Sequence, residues 1–575
     1  MGLRPPRYQF FSAAGLLTFA AFVALPAHAA PMLRLVTSTI GPVQVATAGP
    51  TNTQTLEAYN AGDGTLNLSF SSSVQWIAAT LGASRNCINT SAAKTCLPIQ
   101  FAINTTGLAQ GVSSGIVTVS DPNAVDSPQT VAVLVRVGSV SVYAAPGAST
   151  SVPFAVSSYV AARSTTQSGG NWLSVAAESV GSFLFNYQYQ IQFQPPASLA
   201  SGPYSGSVAI SGSGNSTDNQ TIPVSMQVTS QPIAVPATAT TFKPQPVTTG
   251  LTIRLAQGAP PLTYPFSPTI LLNNAGQGTL SVQNTAITGS WLKQDPVTAY
   301  GVPGFFEIDP TGLAVGDNPG SVAFTSNAAN GTVTVPVDLQ IVAQGAPQVY
   351  FQGVQNNATF LPGDTVAPGD ILVVKGEQLT FSAPALNLPI PLPTDAGGTS
   401  VLVNGTAVPL YYTSYGQIAF QLPYNVPPGT ALIQVKRDDG QISNQASAIV
   451  AATAPRLLVT VNQDYSINSA AHPAHAGDVL TVYAIGLGAT SPAVDAGAAA
   501  PSTEPLAQVS GLIVNFGDGP IGTQEAAPLF AGLTPTFAGL YQVNVYVPSG
   551  LDSGAVDLSV SVSGNISNAL TLYLQ

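Results

Sequence analysis

Leu199-Ala200-Ser201-Gly202-Pro203-Tyr204-Ser205-Gly206-Ser207-Val208-Ala209-Ile210 occurs in the chain, in outline, three times. The other copies run from Leu108 through Gly111 and Gly115 to Ile116-Val117-Thr118-Val119, and from Leu313 through Gly316 and Gly320 to Ser321-Val322-Ala323-Phe324. Each ends in an alternating run, the period-2 signature of a half-buried strand. Upstream of each stands a tryptophan, in Trp76-Ile77-Ala78-Ala79, Trp172-Leu173-Ser174-Val175 and Trp291-Leu292-Lys293-Gln294; downstream a further strand closes the unit, Gln129 to Val135, Thr221 to Val228 and Val333 to Ile341. Asn60-Ala61-Gly62-Asp63-Gly64-Thr65-Leu66 returns as Asn274-Ala275-Gly276-Gln277-Gly278-Thr279-Leu280. Short strands with regular turn signals read as an immunoglobulin-like β-sandwich. In that reading the Trp fills the space between two sheets, and the glycine pair flanks a hairpin turn that needs positive φ or a tight bend. Three copies fill residues 31–345.

Outward from there, residues 346–575 carry a second repeat. Pro368-Gly369-Asp370-Ile371-Leu372-Val373-Val374 matches Ala476-Gly477-Asp478-Val479-Leu480-Thr481-Val482. Gln417-Ile418-Ala419-Phe420-Gln421-Leu422-Pro423 matches Gln542-Val543-Asn544-Val545-Tyr546-Val547-Pro548. No stretch has a helical period over 11 residues. Charged residues make up 7% of 575, against about 25% in an average domain, too few for the wet faces of helices. The expected fold is all-β, a tandem array of about five immunoglobulin-like sandwiches. The expected units span 30–138, 139–230, 231–345, 346–453 and 454–575, after a leader at 1–29.

The second repeat resembles the duplicated C-terminal domain of secreted acidobacterial (Solibacter-type) proteins. The resemblance is carried by Val366-Ala367-Pro368-Gly369, Pro391-Leu392-Pro393-Thr394, Gly397-Gly398-Thr399-Ser400-Val401, Gly416-Gln417-Ile418, Tyr483-Ala484-Ile485-Gly486-Leu487-Gly488 and Gly539-Leu540-Tyr541-Gln542-Val543-Asn544-Val545. That family has no assigned activity, and its units look like IPT/TIG domains of surface proteins. The first three units are similar to BACON-type domains through Trp172-Leu173-Ser174-Val175 and the Leu199–Gly206 stretch; units one and three keep the glycine spacing but lack the Tyr. This resemblance implies adhesion or polymer contact, with carbohydrate as the named association.

The leader reads as a secretory signal: Arg4 and Arg7, an apolar run from Phe10 to Leu25, then Ala27-His28-Ala29 as the cleavage site. No Cys lies nearby for a lipid anchor. No later run reaches about 18 apolar residues, so no span is expected after processing. Without residues 1–29 the chain keeps 12 basic against 25 acidic side chains, a balance that excludes nucleic acid and anionic membrane surfaces as partners. Cys87 and Cys96, an even pair in an exported chain, read as a disulfide that staples one loop. The expected location is extracellular or cell-surface, with the periplasm as alternative.

Motifs that carry chemistry fail on context. Gly111-Val112-Ser113-Ser114-Gly115 has the spacing of a nucleophile elbow but lies in the repeat, with Tyr204 and Asn318 equivalent to its serine. Gly517-Asp518-Gly519-Pro520-Ile521-Gly522 lacks the βαβ unit of a dinucleotide site. His472 and His475 have no third metal ligand in sequence and read as a solvated turn. The acids are scattered through turns, with neither a paired-carboxylate pattern nor calcium-loop spacing. No catalytic residue, metal or cofactor is expected. The aromatic residues offered as ligand contacts are Trp172, Tyr187, Tyr189, Tyr411, Tyr412 and Tyr415, each weighed against core packing; alternation places Tyr187 and Tyr189 on one strand face. The expected function is non-enzymatic adhesion or scaffolding, with polysaccharide or surface proteins as partners. The alternative is carbohydrate binding through the BACON-like units.

Overall fold

The computed structural model describes residues 30–47, 49–177, 187–239, 250–295, 304–517 and 524–575. The leader at 1–29 and most of the Gly517–Gly522 motif lie outside them. Among the described residues the regular elements are β-strands and one 3-10 turn, Ser216–Asp218. The chain is an all-β array of sandwich modules.

Strand Thr221–Val228 shows how the sequence builds it. Ile222, Val224, Met226 and Val228 are buried, while the residues between them face outward, so one side of an alternating run supplies one wall of a core. Five buried clusters result, within residues 33–137, 140–228, 251–341, 349–450 and 457–574; the third also takes in Tyr415 from the fourth sandwich. In each of the first three sandwiches an early strand pairs parallel with the closing strand: Thr39–Val45 with Gln129–Val137, Val140–Ala144 with Thr221–Val228, Leu251–Ala256 with Val333–Val342. The Asn-Ala-Gly repeat is also one structure used twice. Asn60 and Asn274 each accept from the N–H two residues on (Gly62, Gly276; both 2.9 Å) and donate to the carbonyl four residues on (Gly64, 3.0 Å; Gly278, 2.8 Å).

The glycine pair differs from the expected hairpin, because both members lie in one strand: Gly111–Ser120, Gly202–Ser211 and Gly316–Ser326. The first glycine opens the strand at positive φ (123°, 154° and 141°). The second clears space. A Cβ at Gly320 would lie 2.9 Å from the Trp291 ring, one at Gly115 2.6 Å from Ile77, and one at Gly206 2.5 Å from the Thr165 carbonyl. The serine of the elbow-like motif is therefore an ordinary strand residue.

The sandwiches are not independent beads. Strand Thr150–Val156 of the second pairs with Thr39–Val45 of the first, so one seven-stranded sheet runs through both. Gln220 Nε2 donates to the Gln44 carbonyl (2.7 Å), Arg136 Nη1 to the Pro153 carbonyl (2.7 Å) and Asn52 Nδ2 to Thr217 Oγ1 (2.8 Å) across the same joint.

Candidate functional site: the fourth sandwich as a hub

The aromatic residues singled out in the sequence are structural. Trp172 is wholly buried, donates Nε1–H to the Ser168 carbonyl at 2.8 Å and stacks 6.1 Å from Phe193. Tyr187 and Tyr189 do share a face, but it is the core face: Tyr189 is 5% exposed, stacks 5.3 Å from Phe154, and its hydroxyl bonds Val160 at both N–H and carbonyl. Tyr415 is 2% exposed. Trp172, Tyr189 and Tyr415 thus have no free ring face for a ligand, which corrects their reading as contact aromatics. Tyr187, Tyr411 and Tyr412 are half-buried. Even Tyr204, which carries the BACON likeness, lays its ring against Gly169 and donates to the Ala200 carbonyl.

What Tyr411, Tyr412 and Tyr415 do is join sandwiches. A register shift between Leu410 and Tyr412 interrupts their strand, and such a bulge re-aims neighbouring side chains. Tyr412 and Tyr415 go to the third sandwich. The Tyr415 hydroxyl accepts from the Ala256 N–H at 2.7 Å, and the Tyr412 ring lies 6.0 Å from Phe266. Tyr411 goes to the fifth, donating to the Ala538 carbonyl at 2.6 Å. Burial pushes all three hydroxyls upward, that of Tyr412 to about 12.

Ion pairs reinforce both joints. Arg254 of the third sandwich meets Glu377 at 2.7 Å, and Tyr350 donates to the other Glu377 oxygen at 3.0 Å. Arg437 donates to the carbonyls of Gly345 (2.9 Å) and Gln378 (2.8 Å). Towards the fifth sandwich, Arg456 grips Asp364 through two bonds, 2.6 and 3.2 Å. Burial alone would raise the Asp364 carboxyl; the bonds from Arg456 and Thr359 outweigh it and hold it below the usual range.

A third side of the hub meets the first sandwich, 321 residues away in sequence. The Asp126 carboxylate accepts from the Ser447 N–H (3.0 Å) and hydroxyl (2.8 Å), and the Asp126 N–H donates to the Gln445 carbonyl (2.9 Å). Arg34 pairs with Asp126 at 2.6 Å and sits 5.4 Å over the Phe351 ring. The array therefore folds back on its fourth member.

At the centre of the joint between fourth and fifth sandwiches is Asp370, wholly buried. Its Oδ2 accepts from the Ala367 N–H at 2.7 Å; its Oδ1 finds no hydrogen-bond partner among the described residues and faces Gly486 of the fifth sandwich, where a Cβ would approach to 2.9 Å. Burial pushes the carboxyl up to about 8, so it is protonated at neutral pH.

Cys87 and Cys96 form the expected disulfide, with S–S 2.04 Å. Nothing in the local sequence signals the acid beneath this loop, Glu57. This fully buried carboxylate accepts from the Ile88 and Asn89 N–H groups (3.1 and 3.2 Å) and pairs with Arg85 (3.0 Å). It also lies within 4.8 Å of both sulfurs, but these are bonded to each other and are not thiolate ligands. Among the described residues no helix is long and apolar enough to cross a membrane.

No family model and no curated protein matches the chain. Among solved structures, a surface glycan-binding protein of the Bacteroides ovatus mixed-linkage glucan utilization locus, bound to a heptasaccharide, is similar at 14% identity and a TM-score of 0.21, over 59% of this chain and 70% of that one. The Drosophila N-cadherin EC1–4 fragment is similar at 10% identity and a TM-score of 0.20, over 66% of this chain and 93% of that one. The protocadherin GammaB4 extracellular domain is similar at 11% identity and a TM-score of 0.14, over 95% of this chain and 84% of that one. At such scores these likenesses carry no weight for a function of this chain.

Proposed function

We propose that the protein is an exported, non-enzymatic scaffold of β-sandwiches that acts in cell-surface or extracellular adhesion. One observation carries the reading: the fourth sandwich commits Tyr411, Tyr415, Asp364, Glu377 and Ser447 to holding the first, third and fifth in place. A disulfide suits an oxidising compartment, and a surface poor in charge suits tight module packing. The joints make a braced body, not a flexible string. Fractionation of expressing cells tests it. The expected result is protein at the surface or in the medium; a cytoplasmic pool removes the reading, and a periplasmic one moves it to that compartment. A hydrolase screen whose turnover is lost on replacing a single acid overturns the non-enzymatic part.

A second reading, polysaccharide binding through the BACON-like units, keeps two exposed tyrosines in the second sandwich, Tyr143 and Tyr159. It loses Trp172 and Tyr189 to the core. Silence of the full chain on an array of plant and bacterial glycans ends it.

A further inference from the structure

The two C-terminal sandwiches carry one motif in two situations. Sheet register makes the residues equivalent: Asn356 pairs with Leu372 in the fourth, and in the fifth Val461, the residue before Asn462, pairs with Thr481, the residue after Leu480. Asp370 and Asp478 occupy the same turn, each accepting at 2.7 Å from the N–H three residues earlier (Ala367, His475). In the fourth sandwich this corner is a socket filled by the fifth, roofed by Tyr424 packed against Gly369. In the fifth, Ser549 replaces that tyrosine, nothing lies within 4 Å of a Cβ built at Gly477, and the corner opens into a cavity of about 440 Å³.

The walls of this cavity include Asn462, Asp464, His472, His475 and Asp478, so both described histidines face one hollow in a chain with only three. His475 Nδ1 lies 3.4 Å from Asp478 Oδ2; Asn462 Nδ2 holds the His472 carbonyl at 2.8 Å; Asp464 accepts from the Ser466 N–H and hydroxyl at 2.9 and 2.6 Å. The same turn carries Tyr465, 90% exposed, at φ 68°. Positive φ is uphill for a bulky residue. A merely solvated corner needs polar side chains; it does not need an exposed aromatic residue at positive φ next in sequence to Asp464 of the cavity wall.

We propose that this open corner of the fifth sandwich binds neutral, pyranose-based polysaccharide, with the Tyr465 ring stacking on a sugar face and the carboxylates and imidazoles bonding its hydroxyls. A tyrosine offers an apolar face with a polar tip. Neutral imidazole offers one donor and one acceptor, and carboxylates accept from hydroxyls. The net charge of −11 repels polyanions and leaves neutral glycans as the class that fits. The proposal stands apart from the scaffold reading and places sugar contact outside the BACON-like units.

Affinity electrophoresis of the full chain through gels carrying soluble starch, xyloglucan, galactomannan or polygalacturonate tests it. The expected result is retardation by at least one neutral polymer, weakened tenfold or more by Tyr465→Ala and threefold or more by His472→Ala, with unaltered melting and no effect of EDTA. Free migration in all three neutral gels overturns the proposal, as does retardation by polygalacturonate alone. So does retardation that Tyr465→Ala leaves intact, or that EDTA abolishes, since a bound metal would then be the binding element. The cell-fractionation result is unaffected by any of these outcomes.

Discussion

Pro368-Gly369-Asp370 and Ala476-Gly477-Asp478 are the same turn, closed by the same aspartate bond, yet they live in opposite surroundings. Asp370 is sealed beneath the fifth sandwich, and its carboxyl is pushed up to about 8. Asp478 is partly exposed beside an imidazole on an open wall. Local sequence fixed the turn; what stacks on it fixed the chemistry. A module array can thus use one corner as mortar between modules and present its repeat as an exposed surface.

The sharpest way to break this comparison is to attack the filled socket from above. Tyr541 is wholly buried in the fifth core, against which Tyr424 of the fourth sandwich packs, and its hydroxyl donates to the Gly488 carbonyl of its own sandwich. Tyr541→Ala should cost about 3–5 kcal/mol, read by native-state hydrogen exchange of residues 454–575. A cost under about 1 kcal/mol would mean the joint is loosely packed and the filled-versus-open contrast is empty.

The next test removes the clamp beside the socket. Arg456→Ala leaves Asp364 mostly buried without its two bonds, a loss of about 2 kcal/mol for charge-assisted hydrogen bonds. Both side chains are under a fifth exposed, so salt should weaken the pair little. Faster exchange confined to strand Arg456–Val461 and the Asp364 turn would place the clamp at this joint; exchange rising equally at the Asp126–Ser447 contact would show the whole body yielding together.

Such long-range contacts are what the sequence could not display. Repeat phase gave the buried Trp172 and Trp291, because the same run recurs along the chain, and alternation gave the strands, because it is written within a dozen residues. Cys87 and Cys96 were legible for the same reason. The direction of Tyr411, Tyr412 and Tyr415 depends on a bulge that has no local residue signal, and Asp126 meets Ser447 across 321 positions. The second glycine of each pair was visible but misassigned, since the space it clears is set by a neighbour in another strand. Tyr465 carried a faint signal, a lone aromatic in the turn-forming run Asn462-Gln463-Asp464-Tyr465-Ser466.

A subtler test uses the proton on Asp370. The native carboxyl titrates near 8, above the ordinary value of about 3.9 in an unfolded chain. Between those values the native state holds the extra proton. The stabilisation is therefore complete below about pH 4 and is lost as pH climbs through 8. Asp370→Asn imitates the protonated acid and should flatten this slope, making the joint more stable than the wild type at pH 9, by a margin that widens over the whole interval between the two values. Asp478→Asn should leave the slope in place. A wild-type joint whose exchange is flat from pH 5 to 9 would mean that Asp370 is solvated and the socket is not closed.

The smallest expected effect separates presentation from support. Tyr465 is 90% exposed and outside every buried cluster, so Tyr465→Ala should change stability by less than about 0.5 kcal/mol. Tyr465→Gly should be neutral or slightly stabilising, because glycine accepts φ 68° without a Cβ penalty. If instead either replacement lowers the melting midpoint as Tyr541→Ala does, the ring is part of the fifth sandwich's own packing, and the free corner differs from the filled one only in lacking a neighbour.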